Sequence, residues 1–158
     1  MKDNKYDILR ERQRKEFSTL PLHFAFGDEQ INRKLEELNV KEDEINEKLV
    51  GIGAGGFMLN EDYSKYKEMT ERHYKEMQDE INNDKDGTGF IRDMFFSELN
   101  NHEYGFTRDV GDTLRALGIT TKQINSNKNL QKGLVLAMGE IEEFERRKEM
   151  KDEEELEP

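Results

Sequence analysis

Apolar side chains recur at helical spacing along most of this chain. Tyr6, Ile8, Leu9 and Phe17, set among Arg and Glu, predict a highly charged helix from about residue 4 to residue 18 with a narrow apolar stripe. Pro21 closes it, because the residue before a proline is pushed out of the helical region. Ile31, Leu35 and Leu38 predict a short second helix with Asp28 at its N-cap. Residues 41–48 are polar apart from Ile45 and read as a turn of helix or a loop. Tyr63, Tyr66, Met69, His73, Met77 and Ile81 predict a long helix from Asn60 to about Asn82. After a turn at residues 84–89, Phe90, Ile91, Met94, Phe95 and Leu99 predict another helix, stopped by Gly105. Thr107 is read as the cap of a short helix through Val110, Leu114 and Leu117 that ends at Gly118. Thr120 or Thr121 opens the next segment, and Leu130, Leu134, Met138, Ile141 and Phe144 spell an amphipathic helix.

One stretch breaks the helical pattern. Residues 51–56, Gly-Ile-Gly-Ala-Gly-Gly, hold four glycines in six positions, which forbids a regular helix on entropic grounds. The flanking Leu49-Val50 and Phe57-Met58-Leu59 read as a small β-ribbon, with His23 to Phe26 as its partner. The fold class is therefore all-α or nearly all-α: a compact multi-helix domain of about five to seven helices with a Gly-rich turn and a small ribbon. Residues 1–148 are expected to form a single helical domain. Residues 149–158, acidic with Leu156 as the one apolar side chain before Pro158, are expected to form a disordered tail.

Composition narrows the function. The 158 residues are 39% charged and 33% apolar, and Leu, Ile, Val and Phe make up about 23%. That lies just above the roughly 20% at which disorder becomes the better description, so the core is thin. A net charge of −11 excludes the basic footprint of a direct nucleic-acid reader. The absence of Cys excludes disulfides, thiolate metal sites and a Cys nucleophile. No apolar run approaches a membrane span and residues 1–5 lack a signal-peptide stretch, so a cytoplasmic protein without membrane attachment is expected.

Three stretches carry a family resemblance: Phe24-Ala25-Phe26 followed by Asp28-Glu29-Gln30; Gly51 to Phe57; and Asn101-His102-Glu103-Tyr104-Gly105-Phe106-Thr107. In this order and spacing they resemble a family of small uncharacterised proteins from gut Firmicutes, their phages and other mobile elements. The resemblance spans about Tyr6 to Leu134 and brings no assigned activity and no functional residue. It implies context: an accessory protein of a phage or mobile element, a class in which inhibitors of host defence, including anti-CRISPR proteins, are common.

Two motifs invite chemistry and have plainer readings. Residues 51–56 match G-x-G-x-x-G, but a dinucleotide site needs a strand entering and a helix leaving, and Phe57-Met58-Leu59 does not read as a helix start. A close-packed turn under an aromatic side chain is the better expectation. Asn82, Asp84, Asp86, Gly87 and Asp93 match calcium-loop spacing, but Asn replaces the first Asp, Asp93 replaces the bidentate Glu, and no second loop exists. An Asp- and Gly-rich turn is the default.

Two clusters are the candidate sites. If the helices flanking the 84–89 turn run antiparallel, His73 and Glu98 share a level, with Glu76 and His102 each one turn away. His73, Glu76, Glu98 and His102 would then form a divalent-metal set suited to zinc or non-haem iron, set against the plainer reading of two structural histidines. Glu140, Glu142, Glu143 and Glu145, followed by Asp152 to Glu155, form the densest acidic block. It is either a solvated helix end or a partner-binding face that mimics a polyanion. The leading expectation is a non-enzymatic binding protein whose partner is a host nuclease with a basic groove. The alternatives are a metal-dependent enzyme or metal-binding protein on the paired helices, and a self-associating structural protein. No G-x-S-x-G and no P-loop Lys supports catalysis.

Overall fold

The structure is a computed structural model and describes residues 3–156; Met1 and Lys2, and Glu157 and Pro158 of the expected tail, lie outside the described residues. The chain is mostly helical with a small antiparallel sheet, the fold class the hydrophobic pattern predicts. It gathers into two units. One comprises residues up to Arg12 together with the chain from Glu76 onward; the other runs from Gln13 to Lys75. The boundaries fall inside α1 (Lys5–Phe17) and inside α4 (Tyr63–Asn83).

In the 13–75 unit, β1 (His23–Phe24) leads to α2 (Asp28–Glu37) and α3 (Ile45–Lys48), then to β2 (Leu49–Gly53) and β3 (Gly56–Leu59). The strand order is β1-β3-β2, all antiparallel, with His23 opposite Phe57 and Phe24 opposite Gly56. The Gly-rich run is thus a hairpin turn. Strand leads to strand, which removes the helix N-terminus that a dinucleotide pyrophosphate requires. Gly53, Ala54 and Gly55 all have positive φ, and a Cβ on Gly55 would lie 2.7 Å from the Phe26 ring, so the turn does pack under an aromatic side chain. Met58, Ala25, Leu35 and Val40 are the buried apolar residues of this unit. The α2 N-cap is Gly27, with Asp28 already in the first turn. Asn60 begins a short 3-10 turn ahead of α4.

The other unit is built on α5 (Phe90–Asn101), which packs against the long α9 (Lys128–Leu156) and against α7 (Gly111–Leu117). Tyr6, Phe90, Ile91, Met94, Phe95, Leu99, Tyr104, Ile124, Leu130, Leu134, Ala137 and Ile141 form its core. Ile8, placed in the α1 stripe with Tyr6, is 58% exposed, because two residues apart on a helix point to opposite sides. Asp84 organises the turn before α5: its carboxylate accepts from the backbone N–H groups of Gly87, Gly89 and Ile91 at 3.0, 3.1 and 3.0 Å. The calcium-like carboxylates are therefore committed to backbone amides, with Asp86 on Thr88 and Asp93 on the Lys5 N–H.

Downstream lie α6 (Tyr104–Thr107), α7, and α8 (Thr121–Ser126). Gly118 ends α7 in the left-handed conformation, and Thr120 with Gln123 forms a capping box at α8. The described residues hold nine α-helices against the expected five to seven; α3 and α6 are single turns of four residues, too short to leave a period. Thr107 ends α6, and Asp109 supplies the acceptor for the Gly111 N–H ahead of α7. The helical conformation of α9 continues to Leu156 through the acidic residues expected to be tail.

Candidate functional site

The candidate metal set is His73, Glu76, Glu98 and His102. His73 lies in the 13–75 unit, and Glu76, Glu98 and His102 in the other. His73 Nε2 is 3.1 Å from the Glu16 carboxylate, which also accepts from Arg72. Glu76 is paired with Arg12 at 2.7 Å. Glu98 accepts from the buried Tyr6 hydroxyl at 2.5 Å, and burial followed by that bond raises the phenol above its ordinary pKa. His102 ends α5, its Nδ1 2.8 Å from the Glu98 carbonyl oxygen and 3.7 Å from the Glu98 carboxylate. Glu98 and His102 are thus adjacent, and each candidate has a structural partner. Among the described residues no group of three or more His, Cys, Asp or Glu is placed to hold a metal ion.

The acidic block on α9 divides once its surroundings are counted. Glu140 takes a two-pronged contact from Arg92, whose guanidinium also lies 4.4 Å from the Phe96 ring centre. Glu142 accepts from the hydroxyl of Tyr104. Burial first, then that bond, push the Tyr104 phenol up to about 12. Glu143 sits between Arg146 and Arg147, whose bonds hold its carboxyl below the usual range. Glu145 differs: among the described residues no cation pairs with it.

Glu145 lies against residues 101–108, where the sequence pattern predicts a helix stop at Gly105 and a cap at Thr107 and the structure has the single turn of α6. Glu103 and Arg108 adopt left-handed backbone, φ 58° at each, and bracket the single turn of α6. The Glu103 carbonyl accepts from the N–H groups of Phe106 and Thr107. Within that turn Tyr104 is buried at 1% exposure. Two residues on, Phe106 faces away from the core and is 91% exposed. Between them Gly105 leaves room for the neighbouring helix. A Cβ there would lie 3.2 Å from Glu145 Oε1, so the Glu145 side chain lies directly over the Gly105 backbone.

The result is an open cleft of about 440 Å³ lined by Asn100, Glu103, Gly105, Phe106 and Glu145. Asn100 donates one side-chain N–H to the Phe96 carbonyl oxygen and keeps its amide oxygen as an acceptor and its second N–H as a donor. Glu103, like Glu145, has no cation paired with it among the described residues. The polar side chains of the cleft thus offer mainly acceptors, two of them carboxylates, beside one bare phenyl ring. Such a surface receives hydrogen-bond donors and positive charge, and repels phosphate.

A mostly helical acidic protein with a small antiparallel sheet and an acceptor-lined cleft is the class defined by these features. A model of a family of unknown function, DUF7659, matches residues 5–140, and the chain belongs to that family. No curated protein and no solved structure matches it. Among the described residues no helix is long and apolar enough to cross a membrane.

Proposed function

We propose that this protein is a non-enzymatic binding protein that engages a basic partner protein through its acidic surface. The observation that carries the reading is the charge: −11 over the chain, with Glu149 and Asp152 to Glu155 exposed on the helical end of α9. Surface carboxylates in this number steer association with a positively charged partner and disfavour nucleic acid. In its finer form, the partner is a host defence nuclease, CRISPR-type systems included. The acidic surface of a phage or mobile-element accessory protein would then cover the Lys and Arg of a groove that otherwise holds phosphates. The same electrostatic attraction then works in reverse.

The test is capture of a partner by the immobilised protein from a host lysate at low salt, followed by titration of the purified pair across a salt series. Affinity that falls steeply between low and moderate salt, together with competition by DNA for the partner, supports groove occlusion. Salt-insensitive binding, or capture of no basic protein, refutes it.

A further inference from the structure

We infer that the cleft at Phe106 receives an arginine side chain of the partner protein, its guanidinium against the phenyl ring and its N–H groups on Glu103 and Glu145. The inference rests on the acidic-surface reading and adds a site and a ligand chemistry to it. Three observations converge, all within the unit that holds α5 and α9. The first is an open surface cleft of about 440 Å³, with room for one long side chain. The second is an aromatic ring at 91% exposure on its wall. A ring so exposed makes no contribution to the core, while a cation placed over its face is attracted by the ring quadrupole. The third is the complementarity of the polar lining: two carboxylates without a cation among the described residues, beside the amide oxygen of Asn100, so that most of the polar lining accepts.

Arginine fits these demands better than the other cations. Its planar fork presents five donors in its own plane while its face is free to stack, so one group can satisfy carboxylates and ring together. Lysine offers a compact, strongly hydrated point charge without a planar face to stack on the ring. A metal ion needs more ligands than two carboxylates, and the described residues offer no third acidic or imidazole group here. The contrast with the rest of α9 sharpens the assignment. Glu140 and Glu143 already hold internal arginines, and Glu142 a tyrosine, so Glu145 is the member of that block left to serve an external one.

The experiment is a titration of the full-length, isotope-labelled protein with N-acetyl-arginine amide, followed by backbone amide chemical shifts. N-acetyl-citrulline amide serves as the uncharged isostere and N-acetyl-lysine amide as the point-charge control. Saturable shifts at Gly105, Phe106 and Glu145 are expected with arginine, weaker ones with lysine and none with citrulline. The double variant E103Q/E145Q, which keeps side-chain shape, is expected to weaken the arginine response by roughly tenfold, and F106A by several-fold, since Phe106 is exposed and its loss leaves the fold intact. Arginine shifts that map to residues 149–156, or that persist unchanged in E103Q/E145Q, overturn the cleft while leaving the acidic-surface reading standing. An absence of shifts with arginine overturns the cleft as well. If the captured partner then also binds without salt dependence, the acidic-surface reading falls with it.

Discussion

Gly133 and Gly139 lie on the same helix, and replacing each by alanine should change stability in opposite directions. A Cβ on Gly133 would stand 2.5 Å from Ile91 Cγ2, 2.8 Å from the Gly87 carbonyl oxygen and 3.0 Å from the Arg92 nitrogen. Two of these three neighbours are backbone and cannot swing aside. The methyl group therefore wedges α9 away from the first turn of α5, where Phe90, Ile91 and Met94 enter the core. Overpacking of this kind costs about 1–3 kcal/mol, and the gain in helix propensity on leaving glycine returns close to 1 kcal/mol. Contacts of 2.5 and 2.8 Å place G133A in the upper part of that range, about 2–3 kcal/mol, so the net expectation is a loss of about 1–2 kcal/mol. At Gly139 a Cβ meets nothing within 4 Å, so G139A keeps the propensity gain and should stabilise by about 0.5–1 kcal/mol. Urea unfolding followed by far-UV circular dichroism reads both. G133A as stable as the parent, or more stable, would refute the close crossing of α9 over α5.

Three further outcomes follow from the geometry. Asp84→Ala removes the acceptor of three backbone amides before α5 and should destabilise by about 2–3 kcal/mol in the same assay, with a loss below about 0.5 kcal/mol ruling out the role described. Gly55→Ala forces a side chain into φ +75° against the Phe26 ring and should cost about 1–2 kcal/mol, mostly from the left-handed backbone, since exposed Phe26 can move; a neutral result would place the hairpin elsewhere. Tyr104 has a folded pKa raised from 10.0 to about 12, so its contribution is complete below pH 10 and is lost as pH rises from 10 towards 12. Y104F should lose less stability across that interval than the parent, and coincident alkaline profiles would contradict the buried, Glu142-bound phenol.

The fold was legible where local chemistry decides it. Glycine density announced the hairpin, and the short aromatic run at His23-Phe24 was recognisable as its third strand. Gly118 and the Thr120–Gln123 capping box could be read directly, because their partners lie within a few residues. The site was less legible, for a physical reason. Glu140, Glu142, Glu143 and Glu145 are equivalent in the sequence, and what separates them lies far along the chain: Arg92 for Glu140, 48 residues away, and Tyr104 for Glu142, 38 away. Glu143 alone has its cations close by, at Arg146 and Arg147. Phe106 falls in one of the resemblance stretches, but its exposure has no sequence signal, because a single helical turn between two left-handed residues has no periodicity to follow. α9 is helical to Leu156, through acidic C-terminal turns that oppose the helix dipole. Long-range pairing cannot be read from spacing, and it decides which carboxylates remain available.

The account takes long-range attraction from the acidic surface and places the specific contact at Glu103 and Glu145, and a charge-matched comparison tests that placement most directly. The affinity of the captured partner is measured for the parent, for E103Q/E145Q and for E143Q/E153Q, each double variant losing two negative charges. The account predicts that E103Q/E145Q weakens binding by about tenfold while E143Q/E153Q changes it by less than about threefold, because Glu143 is already held by Arg146 and Arg147 and Glu153 lies outside the cleft. Equal weakening by the two variants would contradict it and leave net charge as the whole of the attraction.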